Sequence, residues 1–347
     1  MNLTSLLDID HPLVQAPMAG SQDHRLTAAV SNAGALGSLP CALLDATTLD
    51  AELVALKGLT QRPFNLNFFC HTPVAADANQ EAAWRETLAP YYEEFGIDPS
   101  SIAAGPGRQP FSAEMAEVLE AHRPAVVSFH FGLPQRELLT RVKATGAKVL
   151  SSATTVEEAL WLEANGVDAI IAQGLEAGGH RGHFLNMDIS DQLGTFALLP
   201  QIVQAVNVPV LAAGGIATAQ GVRAAMALGA AGVQVGTAYL SSPEARTSAI
   251  HRAMLASPAA RYTALTNLFS GRPARGIVNR VMRELGPISP AAPGFPLATT
   301  AIAPLRSKAE AQGSGDFSPL WAGQNASLCR PLGAAELTRE LVAGFDL

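Results

Sequence analysis

Short apolar runs alternate with amphipathic stretches from residue 13 to about residue 240, and this alternation restricts the fold more than any other feature. Leu13-Val14-Gln15-Ala16-Pro17-Met18 is the first run, and a helix-like stretch, His24–Asn32, follows it and stops at Gly34. Gly37–Pro40 reads as a second short strand and residues 47–59 have helical spacing. Phe64-Asn65-Leu66-Asn67-Phe68-Phe69 alternates apolar and polar side chains, as a strand does. The rhythm then breaks over residues 71–110, which carry Trp84, Tyr91, Tyr92 and a Gly105-Pro106-Gly107 turn. An inserted helical lid is expected there.

The alternation resumes with a helix at 112–122 and a strand at 125–130 that reads as fully buried. Helices at 135–145, 155–165, 198–206 and 219–228 then separate strands at 148–151, 168–172, 208–213 and 232–235. About eight apolar strands with helical crossovers imply a parallel sheet covered on both faces. Eight of them favour closure into an α/β architecture, the TIM (β/α)₈ barrel, over residues 1–240. An open doubly wound sheet is the competing topology, but the first strand leads into Ala16-Pro17-Met18-Ala19-Gly20, not a G-x-G-x-x-G phosphate loop. Residues 241–347 keep helical stretches at 243–256 and near Arg280, with Pro-rich irregular chain at 286–304. They are expected to form a mostly helical C-terminal subdomain over the barrel mouth, with a final return to the barrel.

Charge and cysteine content exclude several functions. Only 15% of the 347 residues are charged and 48% are hydrophobic, which argues for extensive burial and against disorder. A net charge of −7 with no Lys/Arg run lacks the footprint of a nucleic-acid binder. No polar-free stretch of membrane-spanning length occurs, so no membrane association is expected. The segment from Met1 to Asp10 has no basic region and does not read as a signal peptide. Cys41, Cys70 and Cys329 are odd in number and far apart, forming neither a metal pattern nor a disulfide framework. A cytoplasmic protein is the simplest reading. A monomer and a homodimer are both open.

In a parallel barrel the chemistry lies where strands end and helices begin. The strand-end residues are Pro17-Met18-Ala19-Gly20, Asn67, His130, Ser151-Ser152, Gln173-Gly174, Gly214-Gly215 and Gln234-Val235-Gly236-Thr237. Gly214-Gly215 and Gly236-Thr237 follow the seventh and eighth strands, where barrels often bind phosphate through backbone N–H groups. They read either as a phosphate cradle, with Thr237 adding a hydroxyl, or as two tight turns. The loop after the sixth strand holds Gly178, Gly179, His180, Gly182 and His183. Histidine suits proton transfer near neutral pH, and the glycines would let the loop lie against a planar ligand. A zinc site would need further ligands. His183 alone reads more readily as a solvated loop residue. His130 is either a satisfied core residue or a group facing the barrel mouth. Asn67 and Gln173 can donate and accept, as recognition of a ring edge or a sugar requires, or can satisfy nearby backbone. Arg306 and Lys308 read first as solvated charges and second as groups attracting an anionic substrate.

These pieces in this order resemble the nitronate monooxygenase family, most nearly its bacterial class I type. The matching elements are Ala16-Pro17-Met18-Ala19-Gly20, the Asn67 strand, the segment from Gln173 to Gly182, Ala213-Gly214-Gly215-Ile216, Gln234-x-Gly236-Thr237 and Pro304-Leu305-Arg306. The resemblance implies a (β/α)₈ barrel with FMN held by Met18, Ala19, Asn67, Gln173, Gly178, Gly179, Gly214, Gly215 and the turn Gln234-Val235-Gly236-Thr237. It implies His180 as the active-site base or orienting group, with His130 and Lys308 on the substrate side. The implied reaction oxidises an alkyl nitronate such as propionate 3-nitronate with O₂, giving a carbonyl compound and nitrite. The chain departs from the family where class I relatives carry tyrosines, since Phe295-Pro296-Leu297-Ala298-Thr299-Thr300 has none. Two further functions compete: an FMN-dependent NAD(P)H reductase on the same barrel, and a non-catalytic barrel that binds a phosphorylated ligand.

Overall fold

A computed structural model describes residues 2–102 and 107–346, so Gly105 and Pro106 of the expected turn lie outside the described residues. Eight parallel strands form one sheet: β1 (Leu13–Gln15), β2 (Gly37–Pro40), β3 (Phe64–Phe69), β4 (Val126–His130), β5 (Lys148–Ala153), β6 (Ala169–Gln173), β7 (Val210–Ala213) and β8 (Gly232–Val235). Their order is β1-β8-β7-β6-β5-β4-β3-β2, and a parallel bridge between Val14 and Leu36 brings the two edges together. The Gln15 N–H donates to Leu36 O at 2.9 Å and the Leu36 N–H to Leu13 O at 2.9 Å, so the ring closes as a (β/α)₈ barrel.

Period-two alternation sorts the strand side chains into two sets. Leu13, Val127, Phe129, Val149, Ile170, Ala172, Val233 and Val235 join the layer between strands and helices. The other phase fills the barrel. At its N-terminal end Val14, Val126, Leu150, Ala169 and Leu211 pack with Leu3 and Leu7 of α1 (Leu3–Leu7), which plugs that end. Toward the C-terminal end the same phase carries Asn65, Asn67, Ser128, His130, Ser152, Gln173 and Gln234. One end is therefore sealed by apolar packing and the other is polar.

Helices α2 (His24–Asn32) and α3 (Ala46–Leu59) follow β1 and β2. The expected lid is α4 (Ala78–Glu94), which starts at Asp77, whose side chain accepts from the Asn79 and Gln80 N–H groups. Helices α5 (Ala113–His122), α6 (Arg136–Ala144), α7 (Val156–Ala164), α8 (Thr195–Ala205) and α9 (Ala219–Ala227) complete the outer ring. Three of their starts are set by N-caps, Ser112, Thr155 and Thr218, each accepting a backbone N–H with its hydroxyl.

Beyond the barrel the structure differs from the expectation in three places. The helix expected at 243–256 is only α10 (Ala249–Leu255), because Ser248 caps it by accepting from the His251 N–H. Before it, Arg252 ties down irregular chain by donating to the carbonyls of Ser242, Ala245 and Thr247. A β-hairpin that the sequence does not announce, β9 (Thr263–Thr266) with β10 (Ala274–Ile277), lies between α10 and α11 (Arg280–Glu284). The stretch expected to be irregular is helical from residue 298: α12 (Ala298–Ala311) runs through Pro304. A proline in a helix costs about 3 kcal/mol. Here Ala298, Ala301, Ile302, Leu305 and Ala309 bury one face of α12 beside Trp84, Leu88 and Tyr92 of α4 and offset that cost. Trp84 Nε1 donates to Ala298 O at 3.2 Å and the Tyr92 hydroxyl to Ala301 O at 2.7 Å. The insertion and the C-terminal segment thus share one core. Helix α13 (Ala334–Val342) returns to the barrel, where Thr338 Oγ1 is 2.9 Å from the Tyr239 hydroxyl.

Candidate active site

A cleft of about 190 Å³ opens at the C-terminal ends of the strands. Its floor is the polar phase of the barrel interior, including Asn67, Ser128, His130, Ser152, Gln173 and Gln234. Asn67 Nδ2 donates to Ser128 Oγ at 2.9 Å. Met18 and Ala19 after β1, Gly214 and Gly215 after β7, and Gly236 and Thr237 after β8 line one side. Gly178, Gly179 and His180 come from the loop after β6, and Phe69, Trp321 and Arg108 complete the lining.

The loop after β6 is held rigidly. Gly179–His180 forms a short strand that pairs with β10, Ala274 facing His180 and Arg275 facing Gly179. The His180 carbonyl accepts from Gln173 Nε2 at 2.9 Å and from His130 Nε2 at 3.2 Å. A carbonyl only accepts, so His130 carries its proton on Nε2, and Nδ1 accepts from the Ser152 hydroxyl at 2.8 Å. His130 therefore lines the cleft with both ring nitrogens committed. It positions the His180 backbone. Desolvation lowers its pKa to about 3 and keeps it neutral.

The His180 ring lies in an aromatic box, with ring centres at 5.3 Å from Phe295, 5.5 Å from Trp321 and 6.1 Å from Phe69. Its Nε2 is 2.9 Å from Ser270 Oγ, and Ser270 donates onward to Arg272 O at 3.4 Å. That direction makes Nε2 the protonated nitrogen and leaves Nδ1 with a free lone pair. Desolvation comes first among the causes that hold His180 well below the usual imidazole pKa, followed by the positive charge of Arg108 and the neighbouring His130 and Arg272.

The opposite side of the cleft is built from backbone. Gly214 has φ +115° and Gly215 φ +73°, a left-handed pair that L side chains adopt only with strain. At Gly178 a Cβ would stand 2.6 Å from Gly323 N and 2.7 Å from Ala322 C, so only glycine lets the two chains approach. Thr237 Oγ1 accepts from the Gly323 N–H at 3.0 Å and keeps its own O–H free to donate. Asn325 Nδ2 donates to Gly215 O, so the chain from Gly323 to Asn325 closes this side. Gln234 Oε1 is buried without a hydrogen-bond partner and belongs to the cleft floor. An acceptor left in that state costs about 1–3 kcal/mol unless a ligand donates to it.

Three readings of the sequence are corrected by this geometry. Val235 lies in the layer between strands and helices, because alternation along β8 turns Gln234 inward and Val235 outward. Lys308 is exposed on α12, outside the cleft lining, since the phase that buries Leu305 and Ala309 turns residues 306–308 to solvent. Arg306, beside it, pairs with Glu310 at 2.8 Å. His183 is buried instead of solvated, because Arg272 reaches across and donates to its carbonyl. Burial lowers its pKa to about 3.

The sequence reasoning missed Arg108, Ser270 and Arg272. Arg108 is half-buried, lines the cleft, and holds its guanidinium 5.5 Å from the centre of the Phe295 ring. Arg272 lies 4.1 Å from the centre of the Phe131 ring. The wall that lacks tyrosine is thus faced by phenylalanine and arginine. Among the described residues no group of three His, Cys, Asp or Glu side chains is placed to hold a metal, and no helix is long and apolar enough to cross a membrane.

A family model described as nitronate monooxygenase matches residues 1–344. A nitronate monooxygenase of Pseudomonas aeruginosa is 44% identical over 98% of this chain and 97% of its own length. One from Paraburkholderia phytofirmans is 44% identical over 98% of this chain and 93% of its own length. Among solved structures, a nitroalkane oxidase from Streptomyces ansochromogenes superposes with a TM-score of 0.88 at 38% identity, covering 99% of this chain and 97% of that one. FabK from Thermotoga maritima gives 0.73 at 25% identity, covering 99% and 95%.

Proposed function

The chain belongs to the nitronate monooxygenase family, a family of oxidoreductases, and from that premise we propose that it binds FMN in the cleft and uses it to oxidise alkyl nitronates with O₂ to carbonyl compounds and nitrite. The observation that carries the reading is a neutral His180 in an aromatic box, facing a cleft whose other end is a glycine cradle. The residues present fit the cofactor. Gly214, Gly215 and Gly236 with the Thr237 hydroxyl would hold its phosphate. Gln234, Asn67 and Gln173 offer amide groups to the edge of its ring. Gly178 lets the loop after β6 pack on the backbone of Ala322 and Gly323 where it lines the cleft. Bound flavin supplies acceptance of electrons from the nitronate and their return to dioxygen, chemistry no side chain here can provide.

The protein's own part is position and electrostatics. Phe69, Phe131, Phe295 and Trp321 exclude water around His180. Burial and, after it, the positive charge of Arg108 and Arg272 lower the basicity of His180, and that charge favours an anion beside it. A nitronate arrives already deprotonated and profits from that field. A neutral nitroalkane must lose a proton to His180, which the same field makes a weak base. The cleft is thus better suited to nitronates than to nitroalkanes.

The experiment is anaerobic mixing of the purified holoprotein with propionate 3-nitronate, followed by admission of air. Flavin bleaching and then nitrite release are expected. Rapid bleaching by NADH with none by the nitronate would overturn the reading in favour of a reductase.

A further inference from the structure

Arg108 has an unusual position for a cation. Its Nη1 is buried and has no hydrogen-bond partner, although the side chain lines the cleft. Burial lowers its pKa, and the charge acting on it is the like charge of Arg306. Its backbone is fixed, because His71 Nε2 donates to Arg108 O at 3.0 Å and the His71 ring packs 4.8 Å from that of Phe295. A guanidinium N–H deprived of both water and an acceptor costs more than a neutral donor in the same state. Such a group is satisfied best by a carboxylate, which takes two parallel N–H bonds.

The placement along the cleft gives the second half of the argument. His180 and Arg108 both lie against the Phe295 ring, at 5.3 Å and 5.5 Å from its centre, so they are no more than about 11 Å apart. The glycine cradle lies elsewhere, after β7 and β8. A small molecule whose reacting carbon is beside His180 therefore reaches Arg108 with a group a few bonds away.

We propose that Arg108 is a specificity-determining residue that pairs with a carboxylate carried two or three bonds from the reacting carbon. The inference rests on the reading of this cleft as a nitronate-oxidising site, and it adds which residue selects the substrate's far end. Arg108 acts on binding of that end. The nitronate group itself stays with His180 and the aromatic box.

The test compares holoenzyme carrying Arg108→Met or Arg108→Lys with the unaltered chain on two nitronates, propionate 3-nitronate and propyl-1-nitronate. The loss of kcat/KM in Arg108→Met is expected to be at least 30-fold greater for the carboxylated substrate, mainly through KM, with Arg108→Lys intermediate. Equal losses on both substrates would overturn the proposal. Titration of holoprotein with 3-nitropropionate and 1-nitropropane, followed by tryptophan emission because Trp321 lines the cleft, gives a readout independent of turnover. A preference of tenfold or more for the carboxylate, abolished in Arg108→Met, is expected. No preference in the unaltered chain, or one that survives both substitutions, would overturn the inference. Should neither nitronate yield nitrite while the titration shows the preference, the oxidation reading fails and the role of Arg108 stands.

Discussion

Ser270 Oγ stands 2.9 Å from His180 Nε2, and so the hairpin of the cap, not the barrel, decides which imidazole nitrogen is protonated. Removing that hydroxyl frees the ring to rotate. Ser270→Ala is expected to lower kcat/KM for nitronates by about fivefold to tenfold, the equivalent of one hydrogen bond of about 1 kcal/mol. Ser270→Thr, which keeps the hydroxyl, should retain most of the activity. Initial rates of nitrite release decide it; an alanine variant as fast as the unaltered enzyme would remove Ser270 from the mechanism.

His180→Asn separates the two substrate classes. A neutral nitroalkane needs a base, and its turnover should fall by about 10²–10⁴. The preformed nitronate needs none, and its loss should be at least tenfold smaller. Flavin content, read from the visible spectrum, should stay within about twofold, because His180 binds through its carbonyl to Gln173 and His130, groups the substitution leaves in place. Parallel loss of flavin and of both activities would mean the ring is structural.

The pH dependence follows from the buried histidines. His180 is held well below pH 6.5, so kcat/KM for a nitronate should show no histidine inflection between pH 6 and 9. Stability behaves differently. His183 and His251 are buried, with pKa values lowered to about 3 and about 4. In the unfolded chain each takes a proton near pH 6.5. Their contribution is complete above pH 6.5 and is lost as pH falls toward 4, by up to about 1.4 kcal/mol per histidine per pH unit. Urea midpoints at pH 7.5 and 5.0 measure this; equal midpoints would contradict the assignment.

Gly178→Ala tests the close approach of the two chains. The added methyl meets backbone of Ala322 and Gly323 at 2.7 Å or less, and backbone cannot rotate aside. A cost of about 1–3 kcal/mol is expected. Displacement of the loop should also weaken FMN binding by tenfold or more in an equilibrium dialysis of apoprotein. Unchanged affinity and melting temperature would mean that the loop gives way freely.

Trp84→Ala removes the largest side chain of the core shared by α4 and α12, together with its hydrogen bond to Ala298. A loss of about 3–5 kcal/mol is expected. Denaturant unfolding followed by far-ultraviolet circular dichroism measures it, and a loss under 1 kcal/mol would show that the two helices are not interdependent.

The barrel was legible because most of its strands are apolar runs or alternations, and because the polar interruptions, Asn67, His130, Gln173 and Gln234, all fall at the same end. The hairpin was not legible: Thr263-Ala264-Leu265-Thr266 and Ala274-Arg275-Gly276-Ile277 have neither pattern and take their conformation from pairing. Pro304 disguised α12, whose stability comes from a partner helix far away in sequence. Site residues on strands could be found by position. Arg108 and Ser270 lie on irregular chain, where only tertiary contact distinguishes a cleft residue from a surface one. Lys308 is the solvated charge its own residue type suggested, and only the resemblance had placed it on the substrate side.

The hydrogen bond between Trp84 and Ala298 spans 214 residues of chain. A ribosome working at about 5–20 residues per second leaves a gap of roughly 10–40 s between the two partners. During that interval every barrel strand after β3 is synthesised while α4 waits with Trp84, Leu88 and Tyr92 uncovered. The nascent chain therefore exposes an aromatic surface for most of its synthesis, and its exposure ends only when the last fifth of the polypeptide emerges. Translation that stalls between β8 and α12 yields a product with all eight barrel strands but an unprotected, adhesive helix, the natural target for a chaperone or a protease.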